Sequence, residues 1–159
     1  MAAYSIRDMT KEDISNLMEI EEKSFPTPWS KMFFKSVLSL RGISINKVIL
    51  EDDTMLGYIS ALVEPGRLHL LSIAVRPEKR RLGIGSELLR SLMEEGVGRG
   101  VDAIVLEVRH RNEVAQLFYL HHGFKVSGRL AGYYTDTGED ALVMSLELAG
   151  GDGDRGAGY

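Results

Sequence analysis

Cysteine is absent from this sequence. That excludes disulfides, thiolate metal sites and a cysteine nucleophile or acyl carrier. An excess of positive charge is also lacking: the formal net charge is −4 and the isoelectric point about 5.6. Bulk attraction to nucleic acid or to an anionic membrane is therefore not expected. No apolar run approaches a membrane-spanning length. The N-terminal MAAYSIRDMTKED has no apolar core of the kind a signal peptide needs, so the expected location is the cytoplasm. No residues stand at convincing metal-ligand spacing, and none is expected to bind a metal. What is present is a 159-residue chain with 44% hydrophobic residues, enough for the core of a single domain over residues 1–149. The final ten residues, GGDGDRGAGY, have no periodicity and read as a flexible glycine-rich tail over 150–159.

The period of the apolar residues sets the order of elements. Residues 4–9 read as a short strand. Thr10 with Asp13 offers a capping box for a helix over 11–23 carrying Ile14, Leu17 and Met18. Phe25-Pro26-Thr27-Pro28-Trp29 breaks that helix, because proline disfavours helix at the residue before it. Ser30 caps a second helix. Residues 44–51 and 55–63 read as a hairpin, and Leu68–Val75 as a strand buried on both faces. Residues 84–97 form a helix with Leu88, Leu89, Leu92 and Met93 on one stripe, closed by Gly98-Arg99-Gly100. A strand over 101–108, a helix over 112–121 and strands over 124–129 and 141–148 complete the chain. The order β-α-α-β-β-β-α-β-α-β-β predicts an α/β fold with a mixed, twisted sheet.

Between the apolar strand and the helix at 84 lies Arg76-Pro77-Glu78-Lys79-Arg80-Arg81-Leu82-Gly83-Ile84-Gly85-Ser86. A strand–glycine–helix junction can hold an anion on the first amides of the helix. The spacing is not that of a P-loop, and Gly83-Ile84-Gly85 lacks the third glycine of a dinucleotide fingerprint. On the glycines alone, a tight turn with solvated basic residues remains open. The buried strand before the loop, the basic residues and the amphipathic helix after it favour phosphate binding.

Arg80-x-x-Gly83-x-Gly85 resembles the Q/R-x-x-G-x-G/A motif of the GNAT superfamily of N-acetyltransferases. The resemblance continues through Ser72-Ile73-Ala74-Val75, Leu106-Glu107-Val108-Arg109, Asn112, Leu117-Phe118-Tyr119, Gly123-Phe124, Gly132-Tyr133-Tyr134 and Gly138-Glu139-Asp140-Ala141. Over roughly residues 4–148 the pattern is similar to bacterial RimI-type and archaeal NatA-like protein N-terminal acetyltransferases. It implies acetyl-coenzyme A as co-substrate, held by Ile73, Ala74, Val75, Arg80, Arg81, Leu82, Gly83, Ile84, Gly85, Ser86, Asn112 and Tyr119. It also implies protein N-termini as partners and direct attack of the amine in a ternary complex. A lysine or small-amine acetyltransferase and a noncatalytic acyl-coenzyme A sensor are the alternatives.

Acetyl transfer needs a neutral amine, a donor for the oxyanion and a departing thiolate. A peptide α-amine, with a pKa of about 7.7–8.0, needs only a weak base. Glu107, near the end of an apolar strand, reads by itself as a solvated carboxylate or a partner of Arg109; the resemblance makes it the base. His69 alone reads as a core or edge histidine; the resemblance to the archaeal enzymes makes it an assistant to Glu107. Tyr119 reads as a packing aromatic, and by resemblance as the acid beside the sulfur. Asn112 is an N-cap, a coenzyme contact, or both. The resemblance assigns the oxyanion donor to the main chain of Ile73-Ala74-Val75. Phe25 and Pro26, with Tyr133 and Tyr134, resemble loops flanking a peptide groove. The other reading of the first loop is a plug between helices, and of the tyrosines ordinary hairpin aromatics. His121 and His122 receive no role.

Overall fold

Polar–apolar alternation and helical stripes place eleven main elements along the chain. In the computed structural model, which describes residues 4–148, they are β1 (Tyr4–Asp8), α1 (Ile14–Ser24), α2 (Lys31–Ser39), β2 (Ser44–Glu51), β3 (Thr54–Glu64), β4 (Arg67–Val75), α3 (Ile84–Gly98), β5 (Ala103–Arg109), α4 (Glu113–His121), β6 (Lys125–Tyr134) and β7 (Glu139–Glu147). The segment 150–159 and the expected domain end at 149 lie outside the described residues. The strands hydrogen-bond in the order β1-β2-β3-β4-β5-β7-β6. The chain divides into two compact units, one running to Glu64 and including Leu70–Glu94, the other formed by Pro65–His69 and the chain from Glu95.

In the first unit, β1, β2 and β3 are antiparallel neighbours. Thr10 and Asp13 form the expected capping box, Asp13 Oδ2 accepting the Thr10 N–H at 2.8 Å. It opens a short 3₁₀ turn, Lys11–Asp13, so α1 begins at Ile14 rather than residue 11. Arg7 braces that turn through two hydrogen bonds to Asp13, at 2.8 and 2.9 Å. Ser30 caps α2 by accepting the Phe33 N–H at 3.0 Å. Ile84, Leu88, Leu89 and Leu92 form the buried stripe of α3. Gly57 in β3 is required by crowding, since a Cβ there would stand 2.6 Å from the Ala74 carbonyl oxygen.

Strand β4 departs from expectation. Leu68, Leu70, Ser72 and Ala74 are buried, whereas His69, Leu71 and Ile73, on the other face, are only half-buried. The apolar run is thus covered fully on one face only.

In the second unit, Arg67–His69 pair in parallel with Ala103–Val105, and β5 pairs antiparallel with β7 along its whole length. β6 flanks β7 and runs on to Tyr134, five residues beyond its expected end. Two register shifts, at Val126/Gly128 and Leu130/Tyr134, interrupt the pairing. Gly132, at φ 60°, lies within the second shift, and its N–H is taken by the Asp140 carboxylate at 2.9 Å. Irregular pairing of this kind hides a strand from simple alternation.

Candidate active site

The candidate site residues fall into two groups, one in each unit. In the second unit, β4 and β5 are in parallel register with His69 opposite Val105. Side chains alternate across a strand, so Glu107, two residues after Val105, returns to the same face. His69 Nε2 lies 2.7 Å from Glu107 Oε1, and both side chains are about one-fifth exposed. An ionised carboxylate only accepts hydrogen bonds; Nε2 therefore carries the hydrogen when Glu107 is charged. The alternative partner for Glu107 is otherwise engaged. Arg109 pairs with Asp136 at 2.9 Å and with Glu139 at 3.5 Å. Its guanidinium also stands 4.0 Å from the centroid of the Tyr134 ring, a cation–π contact.

Two tyrosines end β6 next to this pair, and the carboxylate of Glu107 acts on both. Burial first, and then the negative charge of Glu107, raises the Tyr133 hydroxyl pKa. Burial pushes Tyr134 up to about 12, against the opposing pull of Arg109. Their rings meet edge to face at 5.0 Å. Tyr133 is about half exposed.

Tyr119 comes from α4, whose first turn Asn112 caps by accepting the Ala115 N–H at 3.1 Å. The N-cap reading of Asn112 holds. Tyr119 is buried against Phe118 and Phe124, with ring centroids 5.4 Å away in each case. Burial drives its hydroxyl pKa well above the ordinary tyrosine value, so it stays protonated throughout the neutral range. The His122 ring lies tilted against Phe118, with centroids 4.8 Å apart.

The first unit holds the glycine loop. Arg81 and Gly83 both have left-handed backbone, at φ 65° and 81°. At Gly83 no atom stands within 4 Å of where a Cβ would be. Helical pairing of α3 begins where the Glu87 N–H meets the Gly83 carbonyl at 3.1 Å. The amides of a first helical turn have no acceptor within the helix and favour an anion. Two of the basic side chains expected to face a phosphate are held by the protein instead. Arg80 donates to the Val75 carbonyl at 3.0 Å and to Ser24 Oγ at 2.9 Å, and Lys79 pairs with Glu51 at 3.4 Å. They brace the loop from within the protein.

Of the first groove loop, Phe25 packs partly against the core of its unit, while Pro26, Thr27 and Pro28 are exposed. Trp29 is 50% exposed and stacks on Phe33 at 4.2 Å. It is therefore not a buried plug.

One cluster escaped sequence reasoning. Glu21 is 1% exposed and accepts from the Tyr58 hydroxyl and from the Trp29 N–H, the latter at 2.8 Å. Tyr58 Oη and Ser72 Oγ are 2.9 Å apart. A signal existed: Glu21 falls seven residues after Ile14 and four after Leu17, on the apolar stripe of α1. Among the described residues there is no group of side chains suited to a metal ion, and no helix long and apolar enough to cross a membrane.

Residues 13–124 match the acetyltransferase (GNAT) family. The chain belongs to that family. A Bacillus subtilis protein provisionally named ribosomal protein bS18 alanine N-acetyltransferase is 36% identical over 91% of this chain and 95% of its own length. A Saccharolobus solfataricus protein named N-alpha-acetyltransferase is 32% identical over 91% of this chain and 93% of its own. The crystal structure of the ribosomal-protein-S18-alanine N-acetyltransferase from Escherichia coli superposes with a TM-score of 0.83 at 30% identity. That match covers 92% of this chain and 94% of the other. The mixed α/β architecture is that of this GNAT relative, and the acetyltransferase activity is that of the family.

Proposed function

We propose that this GNAT acetyltransferase moves the acetyl group of acetyl-coenzyme A to the α-amine of protein N-termini. The observation that carries the reading is the His69–Glu107 contact at 2.7 Å. It couples a carboxylate to an imidazole beside two tyrosines whose hydroxyls are held protonated. The family match over residues 13–124 includes segments of both compact units, which supports their action as one domain over 1–149. The named activities of the relatives support the α-amine as acceptor.

Acetyl-coenzyme A supplies the activated acyl group as a thioester. The open space at Gly83 and the first turn of α3 suit its pyrophosphate. Residues 80–86, the main chain of Ile73, Ala74 and Val75, and Asn112 and Tyr119 make up the proposed coenzyme contacts. Glu107 takes a proton from the ammonium, directly or through one water, and leaves the neutral amine. One of its oxygens accepts from His69, which fixes the carboxylate's orientation; the second is the oxygen to which the proton goes. The amine nitrogen then bonds to the acetyl carbon, and the carbon–sulfur bond breaks. Tyr119 gives its hydroxyl proton to the thiolate, and the second proton lost by the attacking nitrogen as it becomes an amide returns through water to the tyrosine. No acyl-enzyme is required, consistent with the lack of cysteine. Phe25, Pro26, Tyr133 and Tyr134 contact the acceptor peptide. Mass spectrometry of peptides with free and blocked α-amines tests the proposal.

A further inference from the structure

Glu21 lies in the last turn of α1 and grips both ends of the loop that follows. Its main-chain carbonyl accepts the Phe25 N–H at 3.1 Å, and its carboxylate accepts the Trp29 N–H at 2.8 Å. Between those points stand Pro26 and Pro28, which have no N–H of their own to anchor. The crest, Pro26 to Pro28, is exposed. Ser24, just before the loop, donates to the Ile20 carbonyl at 2.6 Å and accepts from Arg80 at 2.9 Å. The carboxylate is in turn fixed from the sheet by Tyr58 on β3 and by Ser72 on β4, whose hydroxyl lies 3.5 Å from it. Burying a carboxyl group is costly, and an apolar residue would fill the site more simply. What the carboxylate adds is a fixed Trp29 backbone, and with it the first residue before the cap of α2.

We propose that Glu21 is a positioning residue for the acceptor. Through the Trp29 N–H it holds the Phe25–Trp29 loop in the shape that receives the peptide. This rests on the reading of that loop as an acceptor wall. It assigns to a buried side chain, which never touches the substrate, control over acceptor affinity and not over coenzyme affinity or the chemical step. A preformed loop avoids the ordering cost that binding would otherwise carry.

The test compares Glu21→Met with Glu21→Gln. Methionine fills the space but cannot accept from Trp29. Tyr58 keeps Ser72, and Trp29 lies in an exposed loop where water can take over its N–H, so the fold survives. Glutamine can still accept from the Trp29 N–H through its carbonyl, while its NH₂ donates to a Tyr58 hydroxyl turned toward Ser72. Hydrogen exchange at the Trp29 amide and the fluorescence anisotropy of this tryptophan, the only one in the chain, read the loop without any substrate. Steady-state kinetics reads KM for a free-amine peptide and for acetyl-coenzyme A separately.

For Glu21→Met the expected result is Trp29 exchange and a peptide KM each raised roughly tenfold, the size of one lost hydrogen bond to a charged acceptor. Coenzyme KM and kcat should stay within about twofold. Glutamine should restore both loop order and peptide KM. Unchanged Trp29 exchange in Glu21→Met overturns the clamp whatever the activity. A loosened loop with peptide and coenzyme KM rising together, or with kcat alone falling, overturns its assignment to the acceptor. If the parent chain acetylates no free α-amine, the reading under Proposed function fails and the acceptor assignment falls with it. The exchange data still report separately on the clamp.

Discussion

The carboxylate of Glu107 and the imidazole of His69 meet at 2.7 Å, although 37 residues separate them in the chain. The parallel register of β4 on β5 makes this possible, by setting His69 opposite Val105, two residues before Glu107 on the same face. If the pair shares the work of deprotonation, Glu107→Gln lowers kcat about 10²- to 10³-fold and leaves acetyl-coenzyme A affinity unchanged. His69→Ala should lower kcat less. The double variant should fall short of the product of the two single losses, because residues in direct contact are not independent. Stopped assays for kcat, with calorimetry for coenzyme affinity, check this. Near-normal turnover of Glu107→Gln across the pH range removes the base from Glu107.

Tyr119 yields a prediction with a definite sign. Burial raises its hydroxyl pKa well beyond the usual value. The donor form is thus fully present at neutral pH and is lost only far into the alkaline range. Tyr119→Phe should lower kcat, yet every limb of the pH–rate profile below about pH 10, the ordinary tyrosine value, should survive. Loss of an alkaline limb near pH 8 or 9 on this substitution would show that Tyr119 titrates where its burial forbids it.

Much of this was readable beforehand, for local reasons. The Thr10–Asp13 box, the Ser30 cap and the Asn112 cap each depend on residues three apart, and each forms. The glycine loop was likewise a contiguous string. The His69–Glu107 contact needed strand register, which one sequence does not supply; only the resemblance paired the two. The extension of β6 to Tyr134 was hidden because its register slips twice. Arg109, a candidate partner for Glu107, turns instead to Asp136 in the β6–β7 turn and to Glu139 at the start of β7. Glu21 was overlooked because a charge in a helix suggests a solvated face, although its position placed it on the apolar stripe.

The two glycines of the proposed coenzyme loop should fail in different ways. Gly83 is left-handed at φ 81° with open space around it. Gly83→Ala should cost roughly 1–2 kcal/mol of stability through backbone strain, visible as a lower urea midpoint. Gly85 lies in the first turn of α3. Gly85→Val should fold and lose at least about tenfold in coenzyme affinity, because its side chain meets the phosphate. Unaltered affinity in a folded Gly85 variant places the coenzyme elsewhere.

Burial raises the Glu21 carboxyl pKa, outweighing the hydrogen bonds from Tyr58, Trp29 and Ser72 that lower it. A raised folded-state value means that the native state holds its proton more tightly than the unfolded chain. Stability from this group is therefore greatest below the unfolded pKa of about 4.3 and is lost as pH climbs through the raised value. Glutamine does not titrate. The stability of Glu21→Gln relative to the parent should rise with pH across that window and stay level above it. Urea midpoints at a series of pH values measure the difference, and a relative stability that falls as pH rises contradicts the burial account.

If the acceptor is a free α-amine, blocking that amine abolishes the reaction even when a lysine is present. The measurement is mass spectrometry of matched peptides incubated with the protein and acetyl-coenzyme A. Each peptide has one internal lysine, and its N-terminus is either free or already blocked. The expected result is one acetyl group on the free peptide, located by fragmentation at its first residue, and none on the blocked one. An α-amine is about 2.5 pKa units more acidic than a lysine side chain, and a carboxylate base discriminates in its favour. Acetylation of the lysine on the blocked peptide, at a rate matching that of the free α-amine, would contradict the claim.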